Sequence, residues 1–190
     1  MLDSIPKQNI TATEVMDLIN AGKPLNNLFV SGKLNLTGSY NYKCEKDIVA
    51  ENCIFESLEG SCVEFIRSVR LTNSKFTRCD FAYTYFTGGL VIDNCTFEGY
   101  LDMQAGGHNK KAVSITNSIF KNFVNFFDCW YQGEVTIKNN HFQQGTNLLG
   151  VDATSGIRTS FDVEPLIEGN IGQLDIDNEA DLDINIISLL

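Results

Sequence analysis

The chain has 190 residues, 43% hydrophobic and 20% charged, which suits a single globular domain spanning 1–190. Fourteen Lys and Arg against 24 Asp and Glu leave a net charge of −10, which disfavours direct contact with a nucleic-acid backbone. No apolar run approaches the ~18 residues that a membrane-spanning helix needs, so no membrane insertion is expected.

The opening, MLDSIPKQNI, lacks the basic and then apolar pattern of a secretory signal, so a cytoplasmic location is expected. Thr11-Ala12-Thr13-Glu14 fits a capping box, and Val15, Leu18 and Ile19 share one apolar face before Gly22 and Pro24 stop the pattern. These residues predict a helix over 12–20, placed as a cap on the rest of the domain.

From residue 50 onward the chain is periodic. The pattern apolar-x-Asn-x-x-Phe recurs at Asn52/Phe55, Asn73/Phe76, Asn94/Phe97, Asn117/Phe120 and Asn139/Phe142, with steps of 21, 21, 23 and 22 residues. Such a period is too short for helix-pair repeats, and the leucine-rich consensus is absent. The intervening residues are β-branched, aromatic or glycine, as strands and tight turns require. The expected fold is therefore an all-β solenoid, a right-handed parallel β-helix of about 21–23 residues per coil, with its coils over 28–150 and a short N-terminal capping helix. The phenylalanines are expected to stack in one interior column, and the asparagines to form an asparagine ladder at a coil corner.

Six cysteines, at 44, 53, 62, 79, 95 and 129, show neither a CxxC pair nor zinc spacing. They read as free thiols filling narrow core positions where Ser or Ala would also fit. No metal and no cofactor is expected.

The stretch Ser74-Lys75-Phe76-Thr77-Arg78, Cys79-Asp80-Phe81-Ala82-Tyr83, Thr84-Tyr85-Phe86-Thr87-Gly88 resembles the pentapeptide-repeat proteins, with Phe76, Phe81 and Phe86 as centres and Ser74, Cys79 and Thr84 as their small partners. Cys53-Ile54-Phe55-Glu56-Ser57 and Cys95-Thr96-Phe97-Glu98-Gly99 look like further copies, and the run from Ala21 to Leu36 is similar to openings of this group. The resemblance covers roughly 10–150 but is degenerate, and a pectin-lyase-like section remains an alternative. Because some acidic members of the family mimic DNA and bind DNA topoisomerases, the resemblance also implies that activity as a third reading.

After Arg158 there is no base, while eight acids give that end −8 against −2 for the rest. Residues 151–165 break the repeat and are expected to form a loop. Beyond them, Leu174-Asp175-Ile176-Asp177 and Leu182-Asp183-Ile184-Asn185-Ile186 alternate as half-buried strands do, with aspartates outward. Asp175, Asp177, Asp181 and Asp183 thus form a candidate acidic end that keeps the molecule soluble or meets a basic partner.

No nucleophile elbow, P-loop or paired-acid motif is present, so no catalytic residue is named and an enzyme is not expected. Equal offsets from the repeating asparagines should stack on one face. Counting 10 to 14 residues onward gathers Tyr83, Tyr85, Gln104, His108, Asp128, Trp130, Tyr131 and Asp152 as a candidate binding face. Tyr and Trp favour protein contacts, which makes a non-catalytic scaffold binding another macromolecule, a protein, the leading reading. Carbohydrate binding or cleavage on the same wall is the alternative. A terminal coil also offers a homodimer contact.

Overall fold

The computed structural model describes residues 7–37 and 42–177. It is an all-β parallel solenoid of about six coils, with one short helical element among the described residues. The helix spans Ala12–Asn20, and its start is the expected capping box: Thr11 donates its backbone N–H to Glu14 Oε2 (2.9 Å), and Glu14 returns its own to Thr11 Oγ1 (3.3 Å). Val15 and Ile19 are buried against the first coil, so the helix closes that end of the interior. Just ahead of it, Gln8–Thr11 pairs in parallel with Leu28–Ser31, an edge strand that the apolar pattern of the sequence did not announce.

Each full coil contributes to four short parallel ladders. The first is a seven-stranded sheet running Leu25–Asn26, Ile48–Glu51, Val69–Thr72, Leu90–Asp93, Val113–Thr116, Val135–Lys138 and Leu166–Glu168. The second joins the start of Leu28–Asn35 and of Ile54–Glu59 to Lys75–Phe76, Thr96–Phe97, Ile119–Phe120 and His141–Phe142. The third uses the ends of the same two long strands, then Cys79–Asp80, Leu101–Asp102 and Val124–Asn125. The fourth runs from Lys43–Cys44 to Glu64–Phe65, through single bridges at Tyr85 and Gly107, to Trp130–Tyr131 and Ser160–Phe161.

In-register parallel pairing places like residues one strand spacing apart, about 4.8 Å. Phe55, Phe76, Phe97, Phe120 and Phe142 accordingly stack with ring centroids 5.1, 4.8, 5.0 and 4.9 Å apart and near-parallel planes. All five are buried.

The corners explain the repeating asparagines. Asn27, Asn52, Asn73, Asn94, Asn117 and Asn139 all have φ between 50° and 57°, the left-handed region that Asn tolerates better than most residues. Their side chains do not form one unbroken chain of amides. Asn52 donates to Asn27 and Asn94 to Asn73 (2.7 Å), whereas Asn117 donates to Asp93 (2.7 Å). A second left-handed corner occurs in the second to fifth coils, at Cys62, Tyr83, Ala105 and Asp128, with φ of 58°, 56°, 50° and 57°. Its four unlike residues carry no sequence signature.

The residue after each of the last five asparagines sits in a buried slot that changes identity from coil to coil: Cys53, Ser74, Cys95, Ser118, Asn140. The corner takes these backbone N–H groups out of the ladders, and the next coil supplies acceptors. Cys53 N–H donates to Ser74 Oγ (3.0 Å), Cys95 N–H to Ser118 Oγ (3.0 Å), Ser118 N–H to Asn140 Oδ1 (3.0 Å) and Asn140 N–H to Asn170 Oδ1 (3.0 Å). After the second corner, Thr84, Cys129 and Thr159 donate to carbonyls of the previous coil. The slots thus keep buried backbone groups paired.

The far end is less regular. Val151 and Arg158 form an antiparallel bridge around a turn, and the chain rejoins the fourth ladder at Ser160–Phe161. The expected strand over 174–177 is absent, although Asp175 and Asp177 do face solvent and Leu174 and Ile176 are half-buried. The segment instead bonds to an irregular stretch, through Leu149 N–H to Leu174 O (2.8 Å) and Ile176 N–H to Thr146 O (3.2 Å). Asp181, Asp183 and the alternation at 182–186 lie outside the described residues.

Candidate functional site: an outward aromatic wall

On the fourth ladder the extended backbone alternates inward and outward. Phe65 and Phe86 point in, stacked at 5.7 Å, while Glu64 and Tyr85 point out. The next coil breaks the alternation. Gly107 (φ 95°) and His108 (φ 48°) form a left-handed turn, and a Cβ on Gly107 would sit 2.5 Å from Trp130 O, so only glycine fits there. The turn swings the His108 ring outward, at the rung where an extended residue would face the core. Asn109 takes the interior place, fully buried, accepting from the Gln132 N–H (3.1 Å) and donating to Lys111 O (2.8 Å).

The outcome is a contiguous outward column in which Tyr85 and Trp130 are exposed and His108 is half-buried between them. Tyr85 and His108 rings lie 4.1 Å apart, and His108 meets Trp130 at 5.3 Å in an edge-on contact. Trp130 Nε1–H donates to Asp162 Oδ1 (2.9 Å), which pins the indole. Lower on the column Lys43 pairs with Glu64 (3.4 Å), and Thr87 Oγ1 donates to Glu64 (3.1 Å). Tyr85 and Trp130 are 40% and 41% exposed, large apolar areas to leave in water.

The other residues gathered by offset fall into three groups. Tyr83, Gln104 and Asp128 line the adjacent corner, with Tyr83 55% exposed, Asp128 exposed and Gln104 half-buried. Tyr131 does not belong to the wall: it follows Trp130 in an extended pair, so alternation turns it inward, where it is fully buried and stacks on Phe161 at 5.5 Å. Asp152 serves the turn after Val151, accepting from the backbones of Thr154 (3.0 Å) and Ser155 (2.6 Å) and from the Ser155 hydroxyl (2.8 Å). The Ser155 bonds hold its carboxyl below the usual range. Asp162 was missed because it lies beyond the insertion that interrupts the repeat.

Five of the six cysteines fill core positions as expected, but Cys62 is exposed, because the left-handed second corner turns it out of the interior. Four of the buried thiols are chemically quiet. Burial pushes Cys95 and Cys129 up to about 12, and Cys79 and Cys53 also upward, so each is protonated at neutral pH. Cys53 and Cys95 occupy the same slot as Ser74 and Ser118, a packing and hydrogen-bonding role. Among the described residues no group of three His, Cys, Asp or Glu side chains is arranged to hold a metal ion. Compared with protein-family models, with curated proteins and with solved structures, the chain matches none at a significant level.

Proposed function

We propose that this protein is a non-catalytic solenoid scaffold that binds another protein through the wall of Tyr85, His108 and Trp130, and that its coils are degenerate pentapeptide-repeat coils. The observation that carries the binding reading is the aromatic column itself, fixed by the indole bond to Asp162 and by backbone ladders beneath it. Exposed Tyr and Trp on a pre-organised support are the residues that anchor protein interfaces. The clean pentads over 74–88 and the two left-handed corners in each of the second to fifth coils support the repeat reading.

The column suits a protein better than a sugar. A pyranose stacks on an open ring face, but Tyr85 and His108 cover one another, which presents edges. The charge distribution also argues against DNA mimicry towards a topoisomerase, since the acids gather at one end instead of tracking the coils.

The test is affinity capture with three folded baits: wild type, Tyr85→Ala/Trp130→Ala, and Asp175→Asn/Asp177→Asn. A specific protein held by wild type and by the aspartate variant, but lost by the aromatic variant, is the expected result. Capture indifferent to the aromatic pair, or none at all, would overturn the reading.

A further inference from the structure

The third ladder carries a cleft of about 650 Å³ on a different side of each coil from the aromatic wall. Two outward columns build it. In one, Lys33, Ser57, Arg78 and Tyr100 stand at successive rungs, because Lys33 pairs with Ser57 and the neighbouring pairs Leu58–Cys79 and Cys79–Leu101 carry the register upward. In the other, Glu59, Asp80 and Asp102 follow one another in register. The intervening Leu58, Cys79 and Leu101 point into the core. A bulge between Val30 and Lys33 raises one rim, Tyr100 forms the other, and short Ser57 leaves the hollow between them.

The side chains in this hollow are held in place. Asp80 Oδ1 accepts the Ala82 N–H (2.8 Å), and Asp102 Oδ1 accepts the Gln104 N–H (2.9 Å). Phe123 stacks on Tyr100 at 6.3 Å with planes 15° apart. Lys33 is paired with Glu59, whereas Arg78 is exposed and makes no ion pair among the described residues.

We propose that this cleft binds a short neutral or amino-bearing oligosaccharide. Its size falls within the few hundred to about 1,000 Å³ of small-ligand sites. An aromatic wall, a planar guanidinium with five donors and carboxylates with several lone pairs each are what alternating C–H faces and hydroxyls require. Four acids against two bases line it, counting Glu56 and Lys33, so its field repels uronates and phosphorylated sugars. The carboxylates act here as hydroxyl acceptors, and no bond cleavage is implied. The cleft and the protein-binding wall share no residue, so either can be lost without the other.

The test is calorimetric titration with cellotriose, mannotriose, chitotriose, the glucosamine trimer and trigalacturonate. The proteins are wild type, Tyr100→Ala, Arg78→Lys and Trp130→Ala, each first checked for its fold by circular dichroism. The expected result is binding of at least one neutral or amino-bearing trimer, weakened about tenfold or more by Tyr100→Ala and by Arg78→Lys and unchanged by Trp130→Ala. Arg78→Lys keeps the charge and loses only the fork. No binding by any neutral or amino-bearing trimer at about 10 mM, a preference for trigalacturonate, or binding that survives both cleft variants would overturn the proposal. Loss in Trp130→Ala alone would move sugar binding to the other wall and overturn it equally.

Discussion

At the level of single residues, backbone conformation and unpaired polar groups set the costs. Asn94 holds φ of 51° at a corner that each coil must turn. Replacing it with Val, whose branched side chain clashes there, is expected to cost about 1–2 kcal/mol in urea unfolding, and Asn94→Gly less. Tyr131 offers the opposite sign. Its hydroxyl is buried beside the Cys129 thiol, a weak partner that does not meet hydrogen-bond geometry, and burial pushes its pKa well up. Tyr131→Phe removes an unsatisfied group without opening a cavity, so it should stabilise the protein by about 1 kcal/mol and raise Tm. The thiols give a third test. Cys62 is exposed while the other five are buried, so a thiol reagent at mild alkaline pH should label one cysteine of the native protein and all of them after denaturation.

These residues also show what a sequence reveals and what it hides. The asparagine corner was legible because one residue type meets one backbone need six times, five of them within one repeated pattern. The second corner does the same work with Cys, Tyr, Ala and Asp, so nothing repeated for the eye to find. His108 and Tyr131 share an offset and a rung yet face opposite ways, because a left-handed turn at Gly107 reverses the first and an extended strand directs the second. Counting residues cannot see a change in the sign of φ. The cleft was hidden for a related reason: its walls come from coils that are neighbours only after the register is known.

Among the secondary-structure elements, the helix and the charge columns can be weighed separately. The helix was readable in full from its capping box and apolar face, since both are local. Its Glu14 carboxyl is held below the usual range by bonds to Thr11. The charge column is non-local: Lys75, Glu98 and Lys121 sit on three successive coils, with Lys–Glu distances of 2.7 and 2.9 Å. Hydrogen bonds from the two lysines depress the Glu98 pKa below 4.5. A group depressed in the folded state contributes stability above its unfolded pKa and loses it as pH falls through the folded value. Wild type should therefore lose more stability between pH 5 and pH 3 than Lys75→Met/Lys121→Met does, by no more than about 1 kcal/mol, because the two lysines that face the half-buried Glu98 are themselves largely in solvent. A carboxylate titration followed by NMR should show the Glu98 midpoint rising in the double variant. An unmoved midpoint would mean the pairing is too solvated to matter.

For the molecule as a whole, periodicity carried the fold and interruption concealed the rest. The solenoid was legible because Asn and Phe mark nearly every turn. The sixth coil, stretched by the turn around Asp152 and closed by Ile171–Ile176, was not, because an insertion obeys its own local bonds. The corner slots hold a mechanical consequence. Each coil is tied to the next by strand pairing and by side chains such as Ser118 and Asn140 that reach into its neighbour, while distant coils share nothing. Tension applied at the two ends should therefore meet a stack of equal clasps. In an optical trap, each clasp that opens should lengthen the tether by about 75 Å, the contour of some 22 residues less one rung. The protein would behave under load as a ratchet strap paying out one notch at a time.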